Sequence, residues 1–226
     1  MRMRKKKHLD ERLDAVKDIL FVLRSEDRNF NSTIENTEYI DISDWFGRKA
    51  PLYLEIGCGK GRFAVEYAKR HPEINLLAME KDSNVIVAAC EAAKAENVSN
   101  LRFIHGSAEY LERYLKAGSI ERLFLNFSCP YPKNTYASHR LTHAVFLERY
   151  KRLLKADAEI HQKTDNMHFF EFSIEQLSQN GFAIKNLTFD LHNSSFEGNI
   201  VTEYEQKFLD LGQPIYRLEA YMSKKA

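Results

Sequence analysis

From Pro51 onward, the 226-residue sequence alternates short apolar runs with amphipathic helical patterns, and this alternation limits the fold more than any other feature. The runs predict strands at 52–56, 74–79, 101–105, 120–127, 158–163, 182–189 and 214–222. The patterns between them predict helices at 61–70, 83–95, 108–116, 142–154 and 167–179. Such alternation is typical of βαβ units, which build a mostly parallel sheet with right-handed crossovers. No long helical pattern separates the last two strands, so one of them is expected to run antiparallel.

The first 50 residues differ from the rest of the chain. Five Lys and Arg side chains occur within the first eight residues, and apolar positions then recur at helical spacing at Leu9, Leu13, Val16, Ile19, Leu20 and Leu23. We therefore predict a basic N-terminal arm with a helical extension over residues 1–50, and the main α/β domain over residues 51–226. The arm is either a solvated tail or a source of additional phosphate contacts.

Charge and cysteine content narrow the classes of protein. The 33 basic and 32 acidic residues give a net charge of +1, which favours no class of partner. No stretch approaches the roughly 20 apolar residues of a membrane span, and no apolar segment of a secretory signal follows the basic N-terminus. Cys58, Cys90 and Cys129 are odd in number and scattered, which excludes a disulfide framework and a cysteine zinc site. We expect a cytoplasmic protein without a metal ion.

A glycine-rich segment, Gly57-Cys58-Gly59-Lys60-Gly61, follows the first predicted strand and begins the first helix. Its G-x-G-x-G spacing fits neither the dinucleotide fingerprint nor the phosphate-binding P-loop. Because Glu55 precedes the glycines, the segment suits a cationic ligand without phosphate groups, such as S-adenosylmethionine. A glycine-rich turn that binds no ligand is the alternative.

Two further positions follow the next strands. Glu80 ends the second strand, where a carboxylate accepts hydrogen bonds from ribose hydroxyls, or alternatively caps the next helix. Ser107 and Ala108 follow the third strand, where adenine would lie, and Ser107 either bonds an adenine nitrogen or caps the following helix. Ligands of open α/β sheets bind beyond the carboxyl ends of the strands, so these positions support one another.

The segment after the fourth predicted strand reads Asn126-Phe127-Ser128-Cys129-Pro130-Tyr131-Pro132-Lys133. It resembles the N-F-S-D-P-W-P-K motif of the bacterial tRNA (guanine-N(7)-)-methyltransferases, with Cys129 at the aspartate and Tyr131 at the tryptophan. Four later segments are similar to family motifs in the same order: Arg140–His143 to R-L-T-[HY], Lys163–Asn166 to K-T-D-N, Asp190–His192 to D-L-H, and Thr202–Phe208 to T-E-Y-E-x-K-F.

This resemblance implies an α/β, Rossmann-like class I methyltransferase fold, with a mostly parallel seven-stranded sheet, helices on both faces and an antiparallel last strand. It implies S-adenosylmethionine as the methyl donor and N7 of a guanosine in the tRNA variable loop as the acceptor. Residues 51–226 would then be the methyltransferase domain. The implied partner is tRNA, with no membrane and no obligate protein partner, and the chain would act as a monomer or homodimer.

The resemblance also assigns residues by motif. The implied donor-site positions are Glu55, Gly57, Gly59, Gly61, Glu80, Ser107, Ala108 and Cys129. The implied substrate contacts are Lys133, Arg140, Asp165, Thr202, Glu203, Tyr204 and Glu205. Cys129 and Asp165 are the predicted catalytic positions.

Guanine N7 carries an in-plane lone pair, so its methylation requires no general base. Catalysis is expected to come from alignment and electrostatics. Asp165 is predicted to accept hydrogen bonds from the N1–H and amino edge of guanine and to stabilise the cationic product, a role that Glu203 and Glu205 are able to share. The alternative for Asp165 is the N-cap of the helix near Met167.

Cys129 leaves the function open, because a thiol is mostly protonated at neutral pH and cannot supply the charge of a carboxylate. Activity is retained if the position is mainly structural. Otherwise the protein is a weakened or inactive tRNA-binding homologue, or a methyltransferase of another base that stacks on Tyr131. Segment 134–140 also has fewer cations than in the family, which predicts weaker and less salt-sensitive RNA binding. The basic arm would compensate.

Overall fold

The predicted alternation of strands and helices is present in the computed structural model, which describes residues 7–23 and 37–223. The chain divides into two compact units, residues 1–116 and residues 117–226. Within the described ranges, no helix is long and apolar enough to cross a lipid bilayer. Arg2, Arg4, Lys5 and Lys6 of the predicted basic arm lie outside these ranges.

The first unit contains a parallel sheet. Its strands are β1 (Leu20–Val22), β2 (Leu52–Ile56), β3 (Asn75–Glu80) and β4 (Leu101–His105), in the order β1-β4-β3-β2. Its helices are α1 (Leu9–Asp14), α2 (Ile42–Phe46), α3 (Arg62–Arg70), α4 (Ser83–Ala95) and α5 (Leu111–Tyr114), the last preceded by a 3-10 turn at Ala108–Tyr110. Five of the six β3 residues are buried, which accounts for its continuous apolar run.

The second unit contains a mixed sheet. Its strands are β5 (Ile120–Asn126), β6 (Leu154–Thr164), β7 (Phe182–Thr188) and β8 (Tyr216–Met222), in the order β5-β6-β8-β7. Its helices are α6 (Ala144–Leu153), α7 (Met167–Gln179) and α8 (Glu203–Asp210), with a 3-10 turn at Asn134–His139. β5 and β6 are parallel, whereas β8 is antiparallel to both β6 and β7. The predicted antiparallel last strand is therefore confirmed.

The helical extension predicted across residues 9–23 is wrong in its second half. α1 ends at Asp14, and Leu20–Val22 forms β1 in parallel with β4. The amide of Leu23 donates to the carbonyl of His105 at 2.9 Å, which continues the ladder beyond the strand. Pairing with the edge of β4 satisfies backbone groups on both segments, and this gain outweighs the local helical pattern.

Helices α2 and α8 were not predicted from the sequence. Each begins at a side-chain cap: Asp41 accepts from the amide of Asp44 at 3.0 Å, and Thr202 accepts from the amide of Glu205 at 3.0 Å. For α8 the signal is present in the sequence, because Thr202-x-x-Glu205 is the spacing of a capping box.

Candidate functional site

The glycine segment of the first unit turns sharply after β2 and leaves its outer side open. Gly57 has φ +85° and Gly59 has φ +57°, and a Cβ atom at either would meet nothing within 4 Å. The amide of Gly57 donates to the carbonyl of Met79 at 2.7 Å, which ties the turn to β3. At Gly61 a Cβ would lie 2.8 Å from Cβ of Ala89, so this glycine permits close packing of α3 on α4. The segment thus offers open backbone for the close approach of a ligand.

Glu80 is half-buried at the end of β3 and joins this strand to the glycine segment. Its Oε2 accepts from the amide of Gly59 at 3.3 Å, and its Oε1 accepts from the amides of Lys81 at 2.8 Å and Asp82 at 3.1 Å. Asp82 caps α4 by accepting from the amide of Asn84 at 2.8 Å. The alternative that Glu80 caps this helix is therefore wrong.

Three further predicted donor-site residues also lie in the first unit. The Ser107 hydroxyl donates to the carboxylate of Glu109 and makes no cap hydrogen bond to the 3-10 turn that follows, so the capping alternative is wrong. Ala108 begins that turn and is buried. Glu55 is 2% exposed in β2. Glu55 and Glu80 thus place two carboxylates beside the open glycine segment. Their negative charge and their acceptor oxygens fit a cationic ligand that carries hydroxyl groups.

The loop after β5 in the second unit is held by Arg140. Its Nε donates to the carbonyl of Pro130 at 2.9 Å, its Nη2 donates to the carbonyl of Tyr131 at 3.0 Å, and its guanidinium lies 4.4 Å from the ring centre of Phe172. Tyr131 has φ +42°, a costly conformation for a bulky residue. Cys129 is exposed on this loop. Because Arg140 is only 8% exposed, we assign it to the loop rather than to RNA.

Asp165 directly follows β6 and is half-buried. α7 is capped by Asn166, which accepts from the amide of Phe169 at 2.8 Å, so the interpretation of Asp165 as that cap is wrong. Burial raises the pKa of Asp165, while the positive charge of Lys207 acts in the opposite direction. The Asp165 carboxylate therefore has no capping role in α7.

A buried ion pair lies two residues before Asp165. Nζ of Lys163 donates to Oε2 of Glu205 at 2.7 Å, to Oδ1 of Asn199 at 3.0 Å and to the carbonyl of Ile200 at 2.9 Å. Oε1 of Glu205 accepts from Nδ2 of Asn199 at 2.6 Å and lies 3.2 Å from Nε2 of His192. Glu205 has no exposed surface, which argues against its predicted direct contact with the substrate.

The remaining residues of the T-E-Y-E segment form the first turn of α8. Thr202 is its N-cap, and Glu203 and Tyr204 are exposed, Tyr204 by 64%. The rings of Phe127 and Phe208 stack 6.4 Å apart, which holds α8 against the loop after β5. Helix α8 is thus fixed on its inner side and presents Glu203 and Tyr204 outward.

The predicted site residues therefore form two groups. In the first unit they are Glu55, Gly57, Gly59, Gly61, Glu80, Ser107 and Ala108. In the second unit they are Cys129, Lys133, Arg140, Asp165, Thr202, Glu203, Tyr204 and Glu205. Lys133 is exposed and immediately precedes the 3-10 turn at Asn134–His139.

The second unit also brings together three side chains of the kind that bind metal ions, a cluster that the sequence analysis did not anticipate. Ligand atoms of Glu159, His161 and Glu219 lie within 4.8 Å of one another. Nε2–H of His161 donates to Glu159 at 2.8 Å, Lys185 pairs with Glu159, and Arg217 pairs with Glu219. Both carboxylates thus already have cationic partners, which favours a structural charge network across the sheet.

Comparison with known proteins decides the family. A family described as "Putative methyltransferase" matches residues 49–218. A tRNA (guanine-N(7)-)-methyltransferase from Macrococcus caseolyticus is 48% identical over 179 residues, which are 79% of this chain and 85% of that protein. One from Clostridioides difficile is 40% identical over 223 residues, which are 97% of this chain and 98% of that protein. This chain belongs to the tRNA (guanine-N(7)-)-methyltransferase family.

Solved structures confirm the fold of this family member. The 16S rRNA methyltransferase KamB has a TM-score of 0.57 at 13% identity, covering 89% of this chain and 96% of that one. Precorrin-6y C5,15-methyltransferase from Geobacter metallireducens has a TM-score of 0.53 at 13% identity, covering 90% and 93%. The predicted Rossmann-like class I methyltransferase fold is therefore correct. The short strand β1 adds one strand to the seven expected.

Two residues of this family member were given no role by the sequence analysis. Lys163 lies within the K-T-D-N segment and Asn199 precedes α8, yet both bind Glu205. The signal for Lys163 was a lysine in a predicted strand of the sheet, because an ammonium group that is buried there needs an anionic partner. Nothing in the local sequence indicates Asn199.

Proposed function

We propose that this chain transfers the methyl group of S-adenosylmethionine to N7 of a guanosine in the variable loop of tRNA. The observation that carries the proposal is the identity of 40–48% to tRNA (guanine-N(7)-)-methyltransferases over most of the chain. Asp165, which is half-buried directly after β6 and does not cap α7, adds support from the site. The match to the methyltransferase family begins at residue 49, which supports a methyltransferase domain over residues 51–226 with residues 1–50 as an extension.

Residues of the first unit would hold the donor. The carboxylate of Glu80 accepts hydrogen bonds from the ribose, Glu55 offsets the positive charge of the ligand, and the open backbone of Gly57 and Gly59 permits close approach. Ser107 and Ala108 would border the adenine. When bound, S-adenosylmethionine supplies an electrophilic methyl carbon on a sulfonium centre.

Residues of the second unit would hold the guanosine. Methylation at N7 by the bound donor would leave the guanine cationic. Asp165 accepts from the N1–H and amino edge and offsets this charge. Glu203 and Tyr204 contact the RNA from the exposed first turn of α8, and Lys133 binds a phosphate. Glu205 and Arg140 act as positioning residues.

The test is an assay with labelled S-adenosylmethionine and unmodified tRNA, followed by digestion to nucleosides. Labelled 7-methylguanosine is the expected product, and label in another nucleoside would overturn the proposed acceptor. The exposed thiol at Cys129 favours one second candidate, a tRNA-binding homologue with little turnover. Tight tRNA binding without label would support that candidate.

The setting of the reaction follows from its substrate. We propose that the protein acts in the cytoplasm, where its tRNA substrate lies, as a monomer or homodimer without an obligate partner protein. Light scattering of the purified chain with and without tRNA measures its oligomeric state.

A further inference from the structure

We propose that Tyr131, Tyr136 and His139 form a stacking surface for an unpaired nucleobase of the tRNA. This proposal rests on the proposed function, because the ligand is part of the substrate of that reaction. The loop after β5 would then bind the tRNA through a base, by stacking, in addition to any contact with phosphate.

Within the stacking surface, the His139 ring adjoins both tyrosine rings. The ring centres of Tyr131 and His139 are 5.6 Å apart, and those of Tyr136 and His139 are 6.0 Å apart. His139 is exposed and Tyr136 is 50% exposed, so both side chains leave ring surface in contact with solvent. Tyr131 is half-buried beside them. Exposed aromatic rings on a short loop, backed by a further ring, are typical of a binding surface.

The backbone beneath the stacking surface is fixed. The amide of Tyr136 donates to the carbonyl of Lys133 at 3.0 Å, and the amide of Arg140 donates to the carbonyl of Ala137 at 3.0 Å. The Arg140 side chain holds the carbonyl of Tyr131 at 3.0 Å. Because the backbone is already held in place, a base would stack with little further loss of conformational entropy.

The charges of the segment favour a base over a phosphate. Residues 134–139 contain no Lys or Arg, and the guanidinium of Arg140 is buried over the ring of Phe172. The segment therefore offers ring faces where a phosphate-binding loop would offer cations. Every nucleobase has a π-face, so aromatic stacking tolerates different bases and, unlike phosphate contact, depends little on salt.

The test measures the dissociation constant for unmodified tRNA at several KCl concentrations, with Tyr136→Leu, Tyr136→Phe and wild type compared by fluorescence anisotropy. We expect Tyr136→Leu to bind about fivefold or more weakly at every salt concentration, with the salt slope unchanged, and Tyr136→Phe to match wild type. The matched control is Tyr39→Leu, because Tyr39 is 48% exposed in the first unit.

Equal binding by Tyr136→Leu and wild type would overturn the stacking surface, and so would a loss that disappears at high salt. The nucleoside assay with the wild-type protein separates the two proposals. If 7-methylguanosine forms while Tyr136→Leu binds normally, only the stacking surface fails. If no 7-methylguanosine forms while Tyr136→Leu still weakens binding, only the proposed function fails. A wild-type protein that does not bind tRNA would overturn both.

Discussion

Nζ of Lys163 lies 2.7 Å from Oε2 of Glu205, and this pair joins the end of β6 to the first turn of α8. Both side chains are buried: 7% of the Lys163 side chain and none of the Glu205 side chain is exposed. Asp165 follows Lys163 by two residues, and Tyr204 precedes Glu205 by one. The pair therefore fixes the position of the proposed guanosine contacts relative to one another.

Lys163→Met should lower the free energy of unfolding by about 3–5 kcal/mol, because it leaves the Glu205 carboxylate buried without its cationic partner. Urea titration measures the change. The control is Lys69→Met, which breaks an exposed pair with Glu96 and should cost less than about 1 kcal/mol. The double variant Lys163→Met/Glu205→Met should recover part of the loss. Equal stability of Lys163→Met and the control would contradict a buried pair.

Glu80→Ala should weaken the binding of S-adenosylmethionine by roughly ten- to a hundredfold. The change removes the acceptor proposed for the ribose and also the hydrogen bond that Glu80 accepts from Gly59. Isothermal titration calorimetry measures the dissociation constant, with Glu96→Ala, at an exposed glutamate, as the control. A dissociation constant within twofold of wild type would remove Glu80 from the donor site.

Asp165→Asn should lower kcat by about a hundredfold while the affinity for S-adenosylmethionine stays constant, because only the charge offered to the product guanine is lost. Single-turnover kinetics and calorimetry measure the two quantities. The control is Asp157→Asn, at an exposed position of β6. An unchanged kcat would show that the carboxylate plays no part in the reaction.

The Asp165 carboxylate should also determine how the methyltransferase activity decreases at low pH. Burial raises the pKa of Asp165 above its usual 3.8, so the residue becomes protonated at a higher pH than an exposed aspartate does. The activity of the wild-type protein should therefore fall, as the pH decreases, before it reaches 3.8. Residual activity of Asp165→Asn should lack this inflection, and an identical inflection in both proteins would assign it to another group.

Cys129→Asp should raise kcat if a negative charge on the loop after β5 contributes to the reaction, whereas Cys129→Ser should leave it near the wild-type value. Cys129 is exposed, so neither change is expected to affect folding. Steady-state rates with saturating tRNA measure the effect. Equal rates for all three proteins would show that the position is mainly structural.

Glu159→Gln should lower the free energy of unfolding by about 1.5–3 kcal/mol at neutral pH. The hydrogen bond from His161, with the cation of Lys185, lowers the pKa of Glu159 from 4.5 to about 2. Because the pKa is lower in the folded state, the stabilisation is complete above pH 4.5 and is lost as the pH falls toward 2. Urea titrations across this range should show the wild type and the variant converging, whereas Glu148→Gln, at an exposed pair, should differ little from wild type at any pH.

Several elements could be predicted from local sequence to the residue. The bounds of β2, α4, β4 and α7 agree with prediction. Side-chain caps at Asp82 and Asn166 determine where the two helices begin, and short segments in which apolar residues predominate determine the two strands. β1 could not be predicted, because Leu20–Val22 is a strand only through its long-range pairing with β4.

The motifs located the candidate site but did not separate its roles. Arg140 and Glu205 belong to the same motifs as the proposed contacts, yet one holds backbone carbonyls and the other is enclosed by Lys163 and Asn199. A sequence motif specifies the residue type at a position but not the role of its side chain. Whether the side chain touches the substrate or holds a neighbour that does depends on burial, which long-range packing decides.

Strand β8 lies between β6 and β7 and follows both in the chain, so the ladder of the second unit stays incomplete until β8 has been synthesised. A nascent chain that has left the ribosome only as far as β7 has no partner for that strand and leaves the open side of β6 unpaired. Emergence of β8 from the exit tunnel is consequently the step that commits this unit to its native state. Premature stop codons shortly before Tyr216 should then yield chains that are degraded or aggregate, rather than shortened enzymes.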